Sequence, residues 1–340
     1  MKKLYIISNE SVHRQNEDFF CDNIDMKSTP EALNKNFEIN IIARSSDKKR
    51  SHKINLENIY IYKNIFSYLI GIIKSFKDNE NKYLIISISP YTLMACVIIK
   101  IFRRKSIVYL RSDGYGEYKV VFGKLGLLIY HIMFNVVNIT SKFISCRKYI
   151  LRQKKGILVS PSQLNNSWIS NIKKNNFDKI KLLYIGRIRS EKGIFSLISI
   201  IEECNDLTIT IVGAEKDYED IKYKKNINIV GIENNEQKLI NYYDNHSIFI
   251  LPSFTEGHPM VLLEALARHR PVIIFKEIEH VIGSKKGIFI AERNSKDFIK
   301  TVNYIKNNYK KIQENMKKNV LPTKSSFIEE LKNSIMTLSQ

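Results

Sequence analysis

Cysteine is scarce and scattered: Cys21, Cys96, Cys146 and Cys204 stand far apart with no C-x-x-C pair. That spacing excludes both a disulfide framework and a zinc knuckle, and reads as reduced, buried thiols. Long apolar runs are missing too. The longest apolar stretch, residues 120–139, is broken by Lys124, His131, Asn135 and Asn138, short of the roughly 20 uninterrupted residues of a membrane-spanning helix. Met1-Lys2-Lys3 leads into an apolar run of residues 4–7 only, too short for the core of a secretory signal, so a cytoplasmic chain is expected. No repeat of fixed period and no low-complexity tract is present. What is there is globular: 340 residues with 44% hydrophobic, 11% aromatic and 26% charged side chains exceed what one core usually serves, and two domains are expected.

Acidic residues are in deficit. Lys and Arg number 54 against 34 Asp and Glu, a formal charge of +20. Residues 1–165 hold 27 cations and 13 anions, whereas residues 166–340 hold 27 and 21, so the amino half carries the excess. Such a field attracts nucleic acid, an anionic membrane or phosphorylated small molecules without choosing among them. A solvated basic surface competes with all three. No zinc finger, basic zipper or aromatic RNA-binding signature accompanies the charge, and no nucleic-acid partner is expected.

Short runs rich in Ile, Val and Tyr alternate with amphipathic stretches. Residues 4–8, 38–43, 83–89, 107–111, 143–145 and 157–160 read as strands, with residues 91–102 and 117–138 as the clearest helices. This alternation predicts a parallel sheet covered on both faces. The polar stretch 165–179 interrupts it and reads as a linker. The rhythm then resumes, with strands at 181–185, 207–212, 227–230, 247–251, 272–275 and 288–290 and helices starting at Ile194, Asp217, Glu236, Met260 and Ser295, before a last amphipathic helix over 324–338. Two doubly wound α/β domains should face each other across a cleft at the carboxyl ends of their strands, where such sheets bind ligands.

Two strand-to-helix loops carry chemistry. The first, residues 186–193, reads Gly-Arg-Ile-Arg-Ser-Glu-Lys-Gly; Gly186 permits a tight turn, and Arg187 and Lys192 offer cations at a helix start, as a diphosphate requires. It lacks the spacing of a Walker A loop. The second, residues 251–267, places Pro259 in the first turn of a helix whose free amides at Met260 and Val261 would receive an anion. Glu264, four residues after Met260, is an isolated carboxylate in an apolar helix and suits a ribose diol. Glu256 precedes that helix and suits sugar hydroxyls. Taken singly, these residues also read as a charged turn, an exposed helix carboxylate and a helix-entry acid complementing the dipole.

Together they resemble the retaining nucleotide-sugar glycosyltransferases of glycosyltransferase family 4, the group 1 glycosyltransferases of GT-B fold. The resemblance covers about residues 180–292: G-R-x-x-x-E-K-G at 186–193, Thr210-Ile211-Val212-Gly213, Val230-Gly231, Leu251-Pro252-Ser253, and Glu256 and Glu264 separated by seven residues. It implies an α/β chain with a Rossmann-like acceptor-binding domain over 1–168, a Rossmann-like nucleotide-sugar domain over 169–322, and a carboxyl-terminal helix over 323–340 packing back toward the first. It also implies a hexosyltransferase-type transfer from a nucleotide-diphosphate sugar to a glycan or lipid-pyrophosphate-linked acceptor, with retained anomeric configuration, in making polysaccharides such as capsule or lipopolysaccharide. By the same resemblance Arg187 and Lys192 hold the diphosphate, Glu264 the ribose and Glu256 the transferred sugar, while Val230 and Gly231 line the base pocket. Gly186, Gly257, His258, Met260 and Val261 complete the donor site; His258 holds a variable position and is not assigned to catalysis.

The amino half departs from the family pattern. Residues 8–13, Ser-Asn-Glu-Ser-Val-His, contain none of the glycines usual after the first strand, and Arg111-Ser112-Asp113-Gly114 stands where relatives place a histidine. Asp113 is therefore the candidate there for a catalytic polar contact, with a turn residue as its structural alternative. No D-x-D triplet or ligand spacing occurs, so no metal and no cofactor is expected and fixed cations should meet the charge growing on the leaving diphosphate. The basic first half and residues 120–139 suit peripheral docking at an anionic membrane bearing a lipid-linked acceptor, against the alternative of a buried helix. A sugar-nucleotide epimerase, a hydrolase or an inactive nucleotide-sugar-binding relative would share the architecture.

Overall fold

The computed structural model describes residues 1–173, 179–204, 206–214 and 226–339. The helix expected from Asp217 lies outside them. The chain forms two units, one of residues 1–160 and 325–340, the other of residues 161–324.

The first unit is built on β1 (Lys3–Gln15), β2 (Asp18–Cys21), β3 (Glu38–Ser45), β4 (His52–Ile54), β5 (Asn58–Tyr62), β6 (Lys82–Ile86), β7 (Ser106–Leu110), β8 (Lys142–Ser145) and β9 (Gly156–Leu158). Seven strands pair in parallel in the order β5-β3-β1-β6-β7-β8-β9. Helices α1 (Ile24–Leu33) and α10 (Lys324–Ser339) cover one face through Met26, Leu33, Phe327, Leu331 and Ile335. The other face is covered by α2 (Ile65–Lys74), α3 (Pro90–Ile101) and α4 (Gly114–Thr140), which bury Tyr68, Ile72, Cys96, Ile99, Phe134 and Val137. Each such apolar side chain withdrawn from water contributes about 1.5–3 kcal/mol. Local signals set the starts: Ser89 and Thr92 form a reciprocal capping box around Pro90, and Asn64 accepts from the Ser67 amide 2.9 Å away.

Two expectations for this unit change. Residues 8–13 form no turn: β1 runs on to Gln15, with an irregularity between Ile7 and Ser11, and then pairs with β2. A continuing strand needs no glycine. The helix expected over 117–138 is not a single rod either, because Gly123 adopts φ +61° and ψ −142°. The Tyr115 ring lies 4.8 Å from that of Tyr130, whereas fifteen residues of straight helix would separate them by about 22 Å. The chain therefore doubles back at Gly123, a conformation that suits a residue without Cβ.

The second unit has one parallel sheet, ordered β12-β11-β10-β13-β14-β15. Its strands are β10 (Lys181–Ile185), β11 (Thr208–Ala214), β12 (Ile227–Gly231), β13 (Ile248–Leu251), β14 (Val272–Phe275) and β15 (Ile288–Ala291). A short α5 (Asn166–Ile169) precedes them, and α6 (Ile194–Glu202), α7 (Glu236–Asn245), α8 (Met260–Ala267) and α9 (Ser295–Met316) begin at the residues the sequence marks. Trp168, inside the polar stretch read as a linker, is buried in this unit's core. On α9, Phe298, Val302, Ile305, Tyr309 and Ile312 recur at helical spacing and face the core.

Candidate functional site

Strand order reverses direction between β10 and β13, and a doubly wound sheet opens a crevice there, beyond the carboxyl ends of its strands. The loops that leave those two strands are residues 186–193 and 252–259, the two singled out from the sequence. They are fitted to each other. Gly193 has φ +66°, and a Cβ on it would stand 1.9 Å from the Pro252 carbonyl oxygen, so no other residue fits without moving the second loop. The Phe254 amide donates to the Glu191 carbonyl at 3.0 Å. Lys192 Nζ donates to Glu256 Oε1 at 2.7 Å, and Ser253 Oγ donates to the same oxygen at 2.7 Å. His280 Nε2 donates to the Glu256 carbonyl at 2.7 Å. The Glu256 side chain is 10% exposed and that of Lys192 26%, so this pair is screened less than a surface pair.

Arg187 is exposed, and its carbonyl accepts from the Tyr184 hydroxyl at 2.8 Å. The Gly186 amide donates to the Val212 carbonyl at 3.0 Å. A Cβ on Gly213 would lie 2.3 Å from the Gly186 carbonyl oxygen, so the Thr210-Ile211-Val212-Gly213 motif packs its glycine under the first loop.

Pro259 caps α8 from outside the helix, one position before the first turn in which the sequence places it. Met260 and Val261 are then the first helical residues and, with Gly257, are partly exposed. Intrahelical bonding begins later along a helix, so their amides are available to a partner from outside. One turn on, Glu264 Oε2 accepts from the Tyr243 hydroxyl at 2.9 Å. Burial, then the Glu264 charge, pushes the Tyr243 phenol well above its ordinary pKa, so it stays protonated and fixes the carboxylate. Tyr243 is itself anchored: its carbonyl accepts from Arg270 Nε at 2.7 Å. Arg270 and Arg268, each 1% exposed, share Asp244, and Arg268 also binds the carbonyls of Trp168, Ser170 and Asn171.

The remaining candidates are held by other contacts. Val230 and Gly231 sit at the carboxyl end of β12, the sheet edge two strands from β10. His258 Nε2 donates to the Pro161 carbonyl at 2.7 Å, tying the loop to the start of its unit. Asp113 belongs to the first unit, where it precedes α4 without capping it and pairs with Arg152 at 3.5 Å.

Sequence reasoning missed the residues that brace the site. Arg293 lies 4.1 Å from the Phe254 ring centre and 4.2 Å from that of Phe275. It donates to the Pro252 carbonyl at 3.0 Å, Ser196 Oγ at 2.8 Å and Glu277 at 2.9 Å. A lone arginine a hundred residues from the first loop carries no local signal. Ser253 was visible only as part of Leu251-Pro252-Ser253, and Tyr243 only as one of eighteen tyrosines. Among the described residues no group of three or more His, Cys, Asp or Glu is placed to hold a metal.

Comparison with known proteins adds family to geometry. Residues 166–321 match the family model of glycosyl transferases group 1. A putative teichuronic acid biosynthesis glycosyltransferase of Bacillus subtilis, TuaC, is 33% identical over 121 residues, 35% of this chain and 31% of its own. The capsular polysaccharide biosynthesis glycosyltransferase CapM of Staphylococcus aureus is 30% identical over 131 residues, 34% of this chain and 33% of its own. The chain thus spans about a third of the length of these curated relatives. HepE of Anabaena, solved in complex with UDP-glucose, superposes with a TM-score of 0.64 over 99% of this chain and 97% of its own, at 13% identity, a likeness of fold. With two parallel-sheet units the chain has the GT-B fold, and its residues 166–321, with group 1 motifs at the switch point of the second sheet, form a region of the group 1 glycosyl transferases, glycosyltransferase family 4.

Proposed function

We propose that this chain is a cytoplasmic, hexosyltransferase-type enzyme. It moves a sugar from a nucleoside-diphosphate sugar to a glycan or lipid-pyrophosphate-linked acceptor, with retained anomeric configuration, in cell-envelope polysaccharide biosynthesis. The observation that carries the reading is the Lys192–Glu256 pair, backed by Ser253, at the switch point of the second sheet. The names of the teichuronic acid and capsule relatives and the UDP-glucose held by HepE support it.

In this reading the Lys192 ammonium, with one of its three N–H donors on Glu256, turns others to the donor diphosphate. Arg187 and the amides of Met260 and Val261 complete its grip. As the bond from the anomeric carbon to phosphate oxygen breaks, negative charge grows on the departing diphosphate, where these groups already point. Each such donor is worth about 3–4 kcal/mol in a site that excludes water. Glu256, held by Ser253, accepts from hydroxyls of the transferred sugar, and Glu264, held by Tyr243, accepts from the ribose diol. Val230 and Gly231 offer backbone groups to the base, and Asp113 a polar contact to donor or acceptor. The family resemblance implies attack on the face of departure without a lasting glycosyl-enzyme.

The test is a thermal-shift panel of UDP, GDP and their sugars, followed by NMR of the first product formed with an acceptor. A ligand at about 100 times its dissociation constant stabilises by about 2.7 kcal/mol. Failure of every nucleotide diphosphate to raise the midpoint sinks the proposal, as does an inverted linkage, free sugar or an isomerised nucleotide sugar as the product.

A further inference from the structure

Helices α2, α3 and α4 lie side by side on one face of the first sheet, each burying one side against it. A helix so placed normally turns polar residues outward. These do not. Phe66 and Ile70 on α2 are 76% and 53% exposed, Ile101 on α3 is 65% exposed, and Leu125, Leu128 and Ile132 on α4 are 63%, 56% and 56% exposed. The last three follow the i, i+3, i+7 spacing of one helical face. The doubled-back chain adds a corner: Val120, Val121 and Phe122 are exposed, Lys119 and Lys124 flank them, and nothing lies within 4 Å of the position a Gly123 Cβ would take. The long helix α9 of the second unit, also packed on a sheet, sets Lys296, Lys300, Lys306 and Lys310 around its exposed Ile299 and Tyr304.

The chain that carries this apolar surface is basic. Residues 81–160 contain fourteen Lys and Arg against two acids, Asp113 and Glu117. An open pocket of about 700 Å³ is lined by Lys148, Arg152, Lys154 and Lys155. The Arg152 guanidinium sits 4.7 Å over the Tyr115 ring, which places that pocket beside the first segment of α4. Exposed hydrocarbon alone would suit a protein partner, and charge alone a polyanion. An apolar corner flanked by cations matches a medium with hydrocarbon beneath a layer of phosphate.

We propose that this face docks on an anionic phospholipid bilayer. Val121, Phe122, Leu125, Leu128 and Ile132 enter the interfacial region while Lys119, Lys124 and the pocket cations meet lipid phosphates. The chain lies on the membrane and does not cross it: Tyr130, Phe134 and Val137 on the opposite side of α4 stay buried in the first unit's core, and the break at Gly123 leaves no straight helix of spanning length.

The experiment uses the full chain with vesicles of phosphatidylcholine, alone or with one-third phosphatidylglycerol. All four native cysteines are buried, so Leu128→Cys and, as a control on α9, Lys306→Cys take an environment-sensitive dye selectively. The intact chain should co-sediment with anionic vesicles at about 0.1 M salt, and weakly at about 1 M, where screening is short-ranged. The dye at position 128 should shift to the blue on binding and the dye at 306 should not. Lys119→Gln with Lys124→Gln should weaken partitioning roughly 25-fold, about fivefold per lysine. Leu125→Ser with Leu128→Ser and Ile132→Ser should weaken it more than tenfold with an unchanged thermal midpoint; if that variant fails to fold, the dye pair and the lysine variant decide. The proposal is overturned if the intact chain ignores anionic vesicles, if the lysine variant partitions normally, or if position 128 reports burial without lipid because a second copy covers the face.

Discussion

The two sheets of this chain share one order over their first six parallel strands and treat its switch point in opposite ways. In the second unit β10 ends at Ile185 and β13 at Leu251, and the chain leaves into two loops joined by Gly193, the Lys192–Glu256 pair and Arg293. In the first unit β1 continues beyond the equivalent point to Gln15, and the buried Tyr68 hydroxyl donates to the Ser8 carbonyl at 3.1 Å. Topology decides where a crevice can open; the residues leaving the strands decide whether an anion can be held there. The units differ in the same sense elsewhere, since the second spends its ions inside, at Asp244, Arg268 and Arg270, whereas the first has its apolar surface outside.

Removing the buried ions should damage the second unit most. Arg268→Ala leaves Asp244 with Arg270 alone and strips the carbonyls of Ser167, Trp168, Ser170 and Asn171 of this donor, which should cost about 3–5 kcal/mol. Urea unfolding should show this loss in the second unit's transition; a loss below 1 kcal/mol would mean that the network does not found the site. Next in size, Lys192→Ala should lower turnover by about 10²-fold or more without changing the fold. Ser11→Ala, at the run-on strand of the first unit, should leave turnover within a few-fold, and equal losses in initial-rate assays would erase the contrast between the two switch points.

The smallest effect is on pH dependence. Burial holds His246 and His269 in the second unit, and His52 in the first, below the ordinary histidine pKa. The unfolded chain takes up these protons near pH 6.5 and the folded chain only at lower pH. The contribution is therefore complete above about pH 6.5 and is lost as pH falls below it. Urea midpoints at pH 5 should lie below those at pH 8, with His246→Gln flattening part of the difference.

Much of this was legible in sequence because it is local. Strand-helix alternation follows from side-chain period, and residues 186–193 and 251–264 carry their glycines, cations and carboxylates within one or two turns of chain. What escaped depends on contacts between distant segments. A single glycine in an apolar helical pattern usually costs only about 1 kcal/mol, so Gly123 reads as tolerated until Tyr115 and Tyr118 are seen against Tyr130. The absence of glycine from residues 8–13 was visible, but its meaning, a strand that does not stop, required the partner β3. Arg293 acts through Phe254, Phe275 and Pro252, none of them near it in sequence.

The fit of Gly193 beneath the Pro252 carbonyl makes the two loops a single heritable part. Chimeras with other family members that exchange one loop alone would import a mismatched seam. A graft meant to change sugar choice has to carry both loops, and the arginine that clamps them, as one cassette.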